Sequence, residues 1–343
     1  MLQPLRAFAR QRLADRGELG MVADRHAALF TERAEEAGGP PLSDAGRRWL
    51  EGALDDLRGA RRRARRRADT ALLGRLVAAL YRFDYWRPGG ELLGWAEDAL
   101  QLEGMDDEPT APQVYAAAAT AAWRRGDLDR ARRLADRGVD LSPGPDDPAM
   151  AVPFEALGDV ANFQGRLAEA EAAFREQARL ARLGGDPDGE ALGLASGALV
   201  VAYAGCLAEG AGQADAAADV AARAGPAARA FARYAQGECR AETAPEEAQA
   251  ILDEAGALAS ACGASFVETI SRLTGTSLQG RYGDPAAALP FFADVIDGWR
   301  RSGNWTQQWT TLRNFVELLV RLEADAVVDL ALTTIADLAA WHA

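Results

Sequence analysis

An all-α, right-handed superhelix of stacked helical hairpins is the fold this sequence predicts, and three observations carry the prediction. The first is composition: 49% of the 343 residues are apolar and only 7% aromatic, with alanine abundant and β-branched residues sparse. Alanine loses no side-chain entropy on entering a helix, so such a chain favours helices over strands. The second is a shared skeleton. "AAAATAAWRRGDLDRARRLADRGVDLSP" and "PFEALGDVANFQGRLAEAEAAFREQARLA" both read as apolar helix, glycine turn, leucine, an alanine five past the glycine, and a second apolar helix. The third is the period. Gly126 and Gly165 stand 39 residues apart, and the frame returns at Gly283.

In chain order, residues 1–70 read as a helical segment ahead of the repeats. "MLQPLRAFARQRLADRG" is amphipathic and lacks the apolar core and cleavage site of a signal peptide. "RGARRRARRRAD", residues 58–69, places seven arginines in twelve positions of a chain with net charge −13. At about 100° per residue, Arg58, Arg61, Arg62, Arg65 and Arg66 share one side of a helix. Leu50, Ala53, Leu57, Ala60, Ala64 and Ala68 form a stripe of small apolar residues on another. The expectation is a helix packed on the alanine side and solvated on the arginine side, with Glu51, Asp55 and Asp56 in reach for pairing one turn away. The alternative is a nucleic-acid-binding adaptor using the face 58–67, although no aromatic residue interleaves the run to stack a base.

From residue 71 to 343 a step of 39–40 places turns near 87, 126, 165, 205, 243, 283 and 323, enough for about seven hairpins. Five past the turn stand Ala131, Ala170, Ala248 and Ala288, which let the second helix lie close on the first. Nine past stand Ala135, Phe174, Leu252, Phe292 and Leu332, which fill the groove to the next unit. The third unit breaks the frame, with its turn spread between Gly205 and Gly212. One such hairpin cannot bury both faces, so neighbours must stack into a solenoid.

These units resemble the tetratricopeptide repeat through Phe154, Leu157, Gly158, Ala170 and Phe174 in the second unit and Tyr115, Ala131 and Pro143 in the first. The period is longer than the usual 34; lengthened helices of this type are common in STAND-type signal-transduction ATPases. "LQPLRAFARQRLADRGE" resembles that family's helix after the winged-helix subdomain through Leu2, Leu5, Arg6, Phe8, Ala9, Arg12 and Leu13. "ADRHAALFTERAEEA" is similar to its next helix through Arg25, His26, Phe30, Ala34, Glu35 and Ala37, and "WLEGALDDLRGARRRA" to a following segment through Trp49, Leu50, Leu54, Asp56, Leu57, Arg58 and Ala60. The resemblance implies a sensor module whose ATPase and output domain lie upstream or act in trans. No P-loop can exist here, because the chain contains no lysine.

Nothing in the residue pattern specifies a reaction. His26 and His342 are the only histidines, and Cys206, Cys239 and Cys262 have neither disulfide nor metal spacing. The expectation is therefore a non-enzymatic, cytoplasmic chain without cofactor or metal, and without a membrane span. "GTSLQG" at 275–280 lacks the second glycine of a nucleophile elbow, and "GAG" at 210–212 reads as a helix break. The carboxylate pairs Asp146–Asp147 and Glu246–Glu247 read as helix-start residues.

Binding is what remains. The resemblance implies that one face of each first helix lines a concave groove. In this sequence that face carries Gln113, Thr120, Trp123 and Arg124, then Glu155, Asp159, Asn162 and Phe163, then Arg233 and Arg240, then Ser277 and Arg281, and finally Arg313, Glu317 and Arg321. An acidic middle facing a basic C-terminal half would suit a peptide or an acidic ligand, and the partner expected is a protein, a peptide or a small effector. Trp305 and Trp309, four apart, either staple the last hairpin or anchor a partner.

Overall fold

The computed structural model of the chain describes residues 3–87, 90–141 and 144–342. Among them there is no strand. Four helices come first: α1 (Gln3–Asp15), α2 (Leu19–Gly38), α3 (Asp44–Arg67) and α4 (Thr70–Tyr85), followed by the five-residue α5 (Trp95–Ala99). Three hairpins follow as α6 (Ala111–Arg124) with α7 (Leu128–Asp140), α8 (Ala151–Phe163) with α9 (Leu167–Leu183), and α10 (Pro187–Tyr203) with α11 (Leu207–Ala221). Three more complete the array: α12 (Pro226–Glu238) with α13 (Pro245–Cys262), α14 (Ser265–Tyr282) with α15 (Pro285–Ser302), and α16 (Trp305–Arg321) with α17 (Asp325–His342).

The turns fall where the 39–40 residue frame places them. Gly126, Gly165 and Gly205 all take left-handed backbone angles, with φ of 83°, 74° and 92°, which glycine adopts without steric cost. Asp127 and Asp284 cap the second helices α7 and α15, and Asp186 and Asn304 cap the first helices α10 and α16, each accepting a hydrogen bond from a first-turn N–H. The seventh unit, expected at the N-terminal end, is α4 followed by the short α5; its turn residues Pro88 and Gly89 lie outside the described residues, as do Leu2 and Pro143. The third unit corrects the expectation. Its turn stands in frame at Gly205, and Gly210 and Gly212 sit inside α11 rather than breaking it. Gly210 is the small residue five past the turn, where a Cβ would come within 2.9 Å of the Ala198 carbonyl oxygen.

The other small residues at that position, Ala131, Ala170, Ala248 and Ala288, are buried as expected. Nine past the turn, Ala135, Phe174, Leu252 and Phe292 are buried, whereas Leu332 is half exposed because no further hairpin covers α17 among the described residues. Each first helix packs on its own partner and on the first helix of the next unit. The curvature brings the last hairpin back to the first: the Thr306 hydroxyl donates to the Trp123 carbonyl, and α16 touches α6. The superhelix is closed on itself.

Helices α2, α3 and α4 pack together and seat against the ring. The backbone N–H groups of Leu42 and Gly225 both donate to the buried Asp188 carboxylate, at 2.7 and 2.6 Å, and Phe266 N–H donates to the Trp86 carbonyl at 3.1 Å. On α3 the alanine stripe Leu50, Ala53, Leu57, Ala60 and Ala64 is buried, while Ala68 forms its left-handed cap. The arginines are less solvated than expected, because acids on other elements meet them. Arg58 reaches Glu91, Arg63 reaches Asp24, and both Arg61 and Arg65 reach Asp98. Of the upstream acids Asp55 pairs with the run, through Arg58, whereas Glu51 pairs with Arg47 and Arg87.

Candidate functional site

The repeat periodicity turns one face of each first helix toward the axis, and ring closure sets those faces opposite one another. They enclose a cavity of about 450 Å³, the size of a small-molecule site. All seven inner helices contribute. Tyr85 comes from α4, Trp123 from α6, and Asp159, Asn162 and Phe163 from α8. Ser196, Leu199 and Tyr203 come from α10, Phe231 and Tyr234 from α12, Phe266 and Ile270 from α14, and Gln307, Thr310 and Arg313 from α16. Eight of the seventeen lining residues are aromatic in a chain that is 7% aromatic, so the axis gathers rings that the sequence as a whole lacks.

Two of the lining residues carry formal charge. Asp159 Oδ2 accepts from the Tyr85 hydroxyl at 3.2 Å, and Oδ1 has no donor among the described residues. Burial, and secondarily the nearby Glu155 charge, push the Asp159 carboxyl up to about 8, against the Tyr85 hydrogen bond and the charges of Arg124 and Arg82. Arg313 is exposed and makes no ion pair or hydrogen bond among the described residues. The side chains of Asn162, Ser196 and Gln307 likewise have no hydrogen-bond partner there.

One turn before Asp159 on the same helix, Glu155 is fully buried and fully engaged. It pairs with Arg82 at 2.9 Å and accepts from Tyr81 Oη and Gln177 Nε2, each at 2.9 Å. Burial raises its pKa, with Arg82 opposing. Thr120 closes the same network, 3.3 Å from Tyr81 Oη and donating to the Ala116 carbonyl at 3.0 Å.

The fifteen residues assigned to the groove from sequence therefore divide. Trp123, Asp159, Asn162, Phe163 and Arg313 converge on the cavity. Thr120 and Glu155 lie behind its wall. Arg124 is buried and caps α4 by donating to the carbonyls of Tyr85 and Arg87 at 2.5 and 2.8 Å. Gln113 is half-buried near the start of α6. Arg233 pairs with Glu254 at 2.6 Å and Arg240 with Asp215 at 2.7 Å. Ser277, Arg281, Glu317 and Arg321 line a crevice of about 10 Å³ between α14 and α16, where Arg281 and Glu317 pair at 2.8 Å. That volume is about one water. The expected basic half is thus largely neutralised by acids packed beside it, and Arg313 is its one member on the cavity.

The third unit supplies the lining residues that sequence reasoning missed, and the signal was available. Leu199 and Tyr203 stand six and two before Gly205, as Asp159 and Phe163 stand before Gly165. Misreading that turn removed α10 from the groove. Tyr85, Phe231, Tyr234, Phe266, Ile270, Gln307 and Thr310 also line the cavity and stand outside the residues named from sequence.

Elsewhere the chemistry is quiet. His26 Nε2 lies 3.1 Å from Asp56 Oδ1 and stacks near Phe30 between α2 and α3; the side chain of His342 lies outside the described residues. The cysteines are free, with Cys239 and Cys262 buried. No group of three His, Cys, Asp or Glu able to hold a metal occurs among the described residues, and none of their helices is long and apolar enough to cross a membrane. Trp305 and Trp309 are half-buried on α16. Glu246 and Glu247 open α13, and Asp147 accepts from Ala149 N–H at 3.0 Å.

No protein-family model and no curated protein matches this sequence. Among solved structures, the chain is similar to a Rap protein complexed with Competence and Sporulation Factor, with a TM-score of 0.59, 11% identity, and 95% of this chain aligned to 98% of that one. It also aligns with a Signal Transduction ATPase with Numerous Domains (STAND) protein with a tetratricopeptide repeat sensor from Pyrococcus horikoshii, at a TM-score of 0.47 and 14% identity, over 92% of this chain and 47% of that one. The fold is a tetratricopeptide-like helical superhelix.

Proposed function

We propose that this chain is a non-catalytic sensor module whose effector occupies the axial cavity, and that it regulates a STAND-type ATPase and output module acting upstream or in trans. One observation carries the reading: every inner helix of the ring contributes to one cavity. An effector there contacts all the repeats at once, and its binding free energy favours the closed ring over any state in which α16 has parted from α6. The first-to-last contact includes the Thr306–Trp123 hydrogen bond, so a modest differential affinity is enough to shift it. Among the described residues the wall contains no histidine or cysteine, which supports binding without chemistry. The similar Rap protein was solved complexed with Competence and Sporulation Factor, and this chain is read as using the shared fold in the same general way. A small effector, or a few side chains of a peptide, matches the volume. A nucleic-acid role for the arginine face has less support, because Arg58, Arg61, Arg63 and Arg65 are engaged by acids.

The test is native mass spectrometry of the purified chain before and after denaturation, beside a Ser196→Trp variant that fills the cavity. The expected result is an excess mass that is released on denaturation and absent from the variant. If the wild-type chain is bare and no cavity-sized compound raises its melting temperature, the effector reading fails.

A further inference from the structure

Resting on the cavity reading above, we propose that the effector is a small zwitterion: a bulky organic cation, such as a trimethylammonium group, held by the aromatic walls against Asp159, with a carboxylate or similar anion directed to Arg313. The walls decide the kind of cation. Aromatic faces present negative charge density, and they attract a cation most when water is excluded. Trp123, Phe163, Tyr85 and Phe231 approach the same space as Asp159 Oδ1, which no described group satisfies. A strongly hydrated metal ion or bare ammonium would give up its water shell against a wall that is nearly half aromatic rings. An alkylated ammonium carries a diffuse charge and an apolar surface, so it loses little and buries its methyl groups against the rings. Arg313 decides the rest. As the other formal charge on the cavity, without a partner among the described residues, it disfavours a plain cation and favours one with an anionic end.

The proposal carries a pH signature. A ligand cation requires the ionised Asp159, whose carboxyl is pushed up to about 8. Affinity should therefore rise with pH up to about 8 and level off above, with a proton released on binding at lower pH. The neighbours that bear on this are Glu155 on the same helix, Arg82, Tyr81 and Tyr85 on α4, and Arg124 on α6; Tyr203, Tyr234 and Arg313 share the cavity from α10, α12 and α16. Burial pushes Tyr85 and Tyr234 well above their ordinary value, so they stay neutral throughout this range.

The experiment is calorimetric titration of the full chain with trimethylammonium carboxylates of one to four methylene spacers. Choline, which lacks the carboxylate, and tert-butylacetate, which lacks the cation, are the controls. The best zwitterion should bind at least tenfold tighter than either control. Asp159→Asn should cancel the preference over tert-butylacetate, and Arg313→Gln the preference over choline. The wild-type pH profile tests the same point without a variant, because none of the probes titrates near 8. Equal binding of tert-butylacetate, or a profile flat between pH 6 and 9, would overturn the proposal while leaving an effector cavity in place. Binding of no probe at all would overturn it too, and the bound mass seen in native spectrometry would then decide the effector reading separately.

Discussion

The middle of α8 holds two acids one turn apart, and they are treated in opposite ways. Toward the N-terminal end Glu155 has an arginine, a tyrosine and a glutamine arranged around it, and no solvent. Toward the C-terminal end Asp159 has one tyrosine and an open cavity. A buried charge whose partners are all supplied by the protein holds helices in register. A buried charge left half satisfied is costly to the fold, and that cost falls when the group holds a proton or meets a ligand. The comparison separates scaffold from site within a single helix.

The largest test breaks the closed end. Glu155→Leu alone, which leaves Arg82 buried and unpaired, should lower unfolding free energy by about 3–5 kcal/mol in urea denaturation. The double variant Arg82→Met with Glu155→Leu should recover most of that loss, since an apolar pair replaces an ion pair at little net cost. A single variant indistinguishable from the parent would erase the distinction between the two ends. The open end predicts the reverse behaviour. A carboxyl raised to about 8 in the fold, against an ordinary value near 3.9 in the unfolded chain, binds its proton more tightly when folded. Its stabilising contribution is complete below about pH 4 and is lost as pH rises toward 8. Asp159→Asn should remove that slope and leave the protein about 2 kcal/mol more stable at pH 9. This is well under the full linkage value, because the carboxylate opens onto a cavity that water can enter. Thermal melts across pH 5–9 would show it, and an unchanged slope would place the titrating group elsewhere.

Ring closure is expected to be worth less. Thr306→Val removes the hydroxyl that meets the Trp123 carbonyl, at about 1 kcal/mol. Hydrogen exchange should then speed up in α16 and α17 while α8 and α10 stay protected. Smallest of all is the arginine face. Arg58→Gln, Arg61→Gln and Arg65→Gln together should cost roughly 1 kcal/mol or less per pair, fading at high salt. Salt-dependent DNA binding abolished by these changes would instead revive the nucleic-acid reading.

Much of this was legible beforehand at the level of single units. Gly126, Gly165 and Gly283 marked real turns, Ala131 through Ala288 marked real close approaches, and Leu50 through Ala64 marked the buried stripe of α3. The cavity was legible only in part. Asp159, Asn162, Phe163, Trp123 and Arg313 could be placed from position before a turn, but Glu155 and Arg124 occupy equivalent positions and are consumed by packing against α4. Helix α4 is the first helix of the N-terminal unit, and the repeat frame does not reveal that its Tyr81 and Arg82 reach across to Glu155 on α8. The arginine run shows the same limit, since Glu91, Asp98 and Asp24 reach it from segments 33 to 39 residues away.

The sequence by itself determined the helices, their turns and the face each hairpin buries, because periodicity and glycine placement act within about 40 residues. Only the tertiary structure decided that α16 returns to α6, that the inner faces converge on one axial cavity, and which acid on α8 is fully engaged. Superhelical curvature is the sum of small offsets at every interface between first helices. No single repeat encodes that sum, and whether the ring closes depends on all of them together.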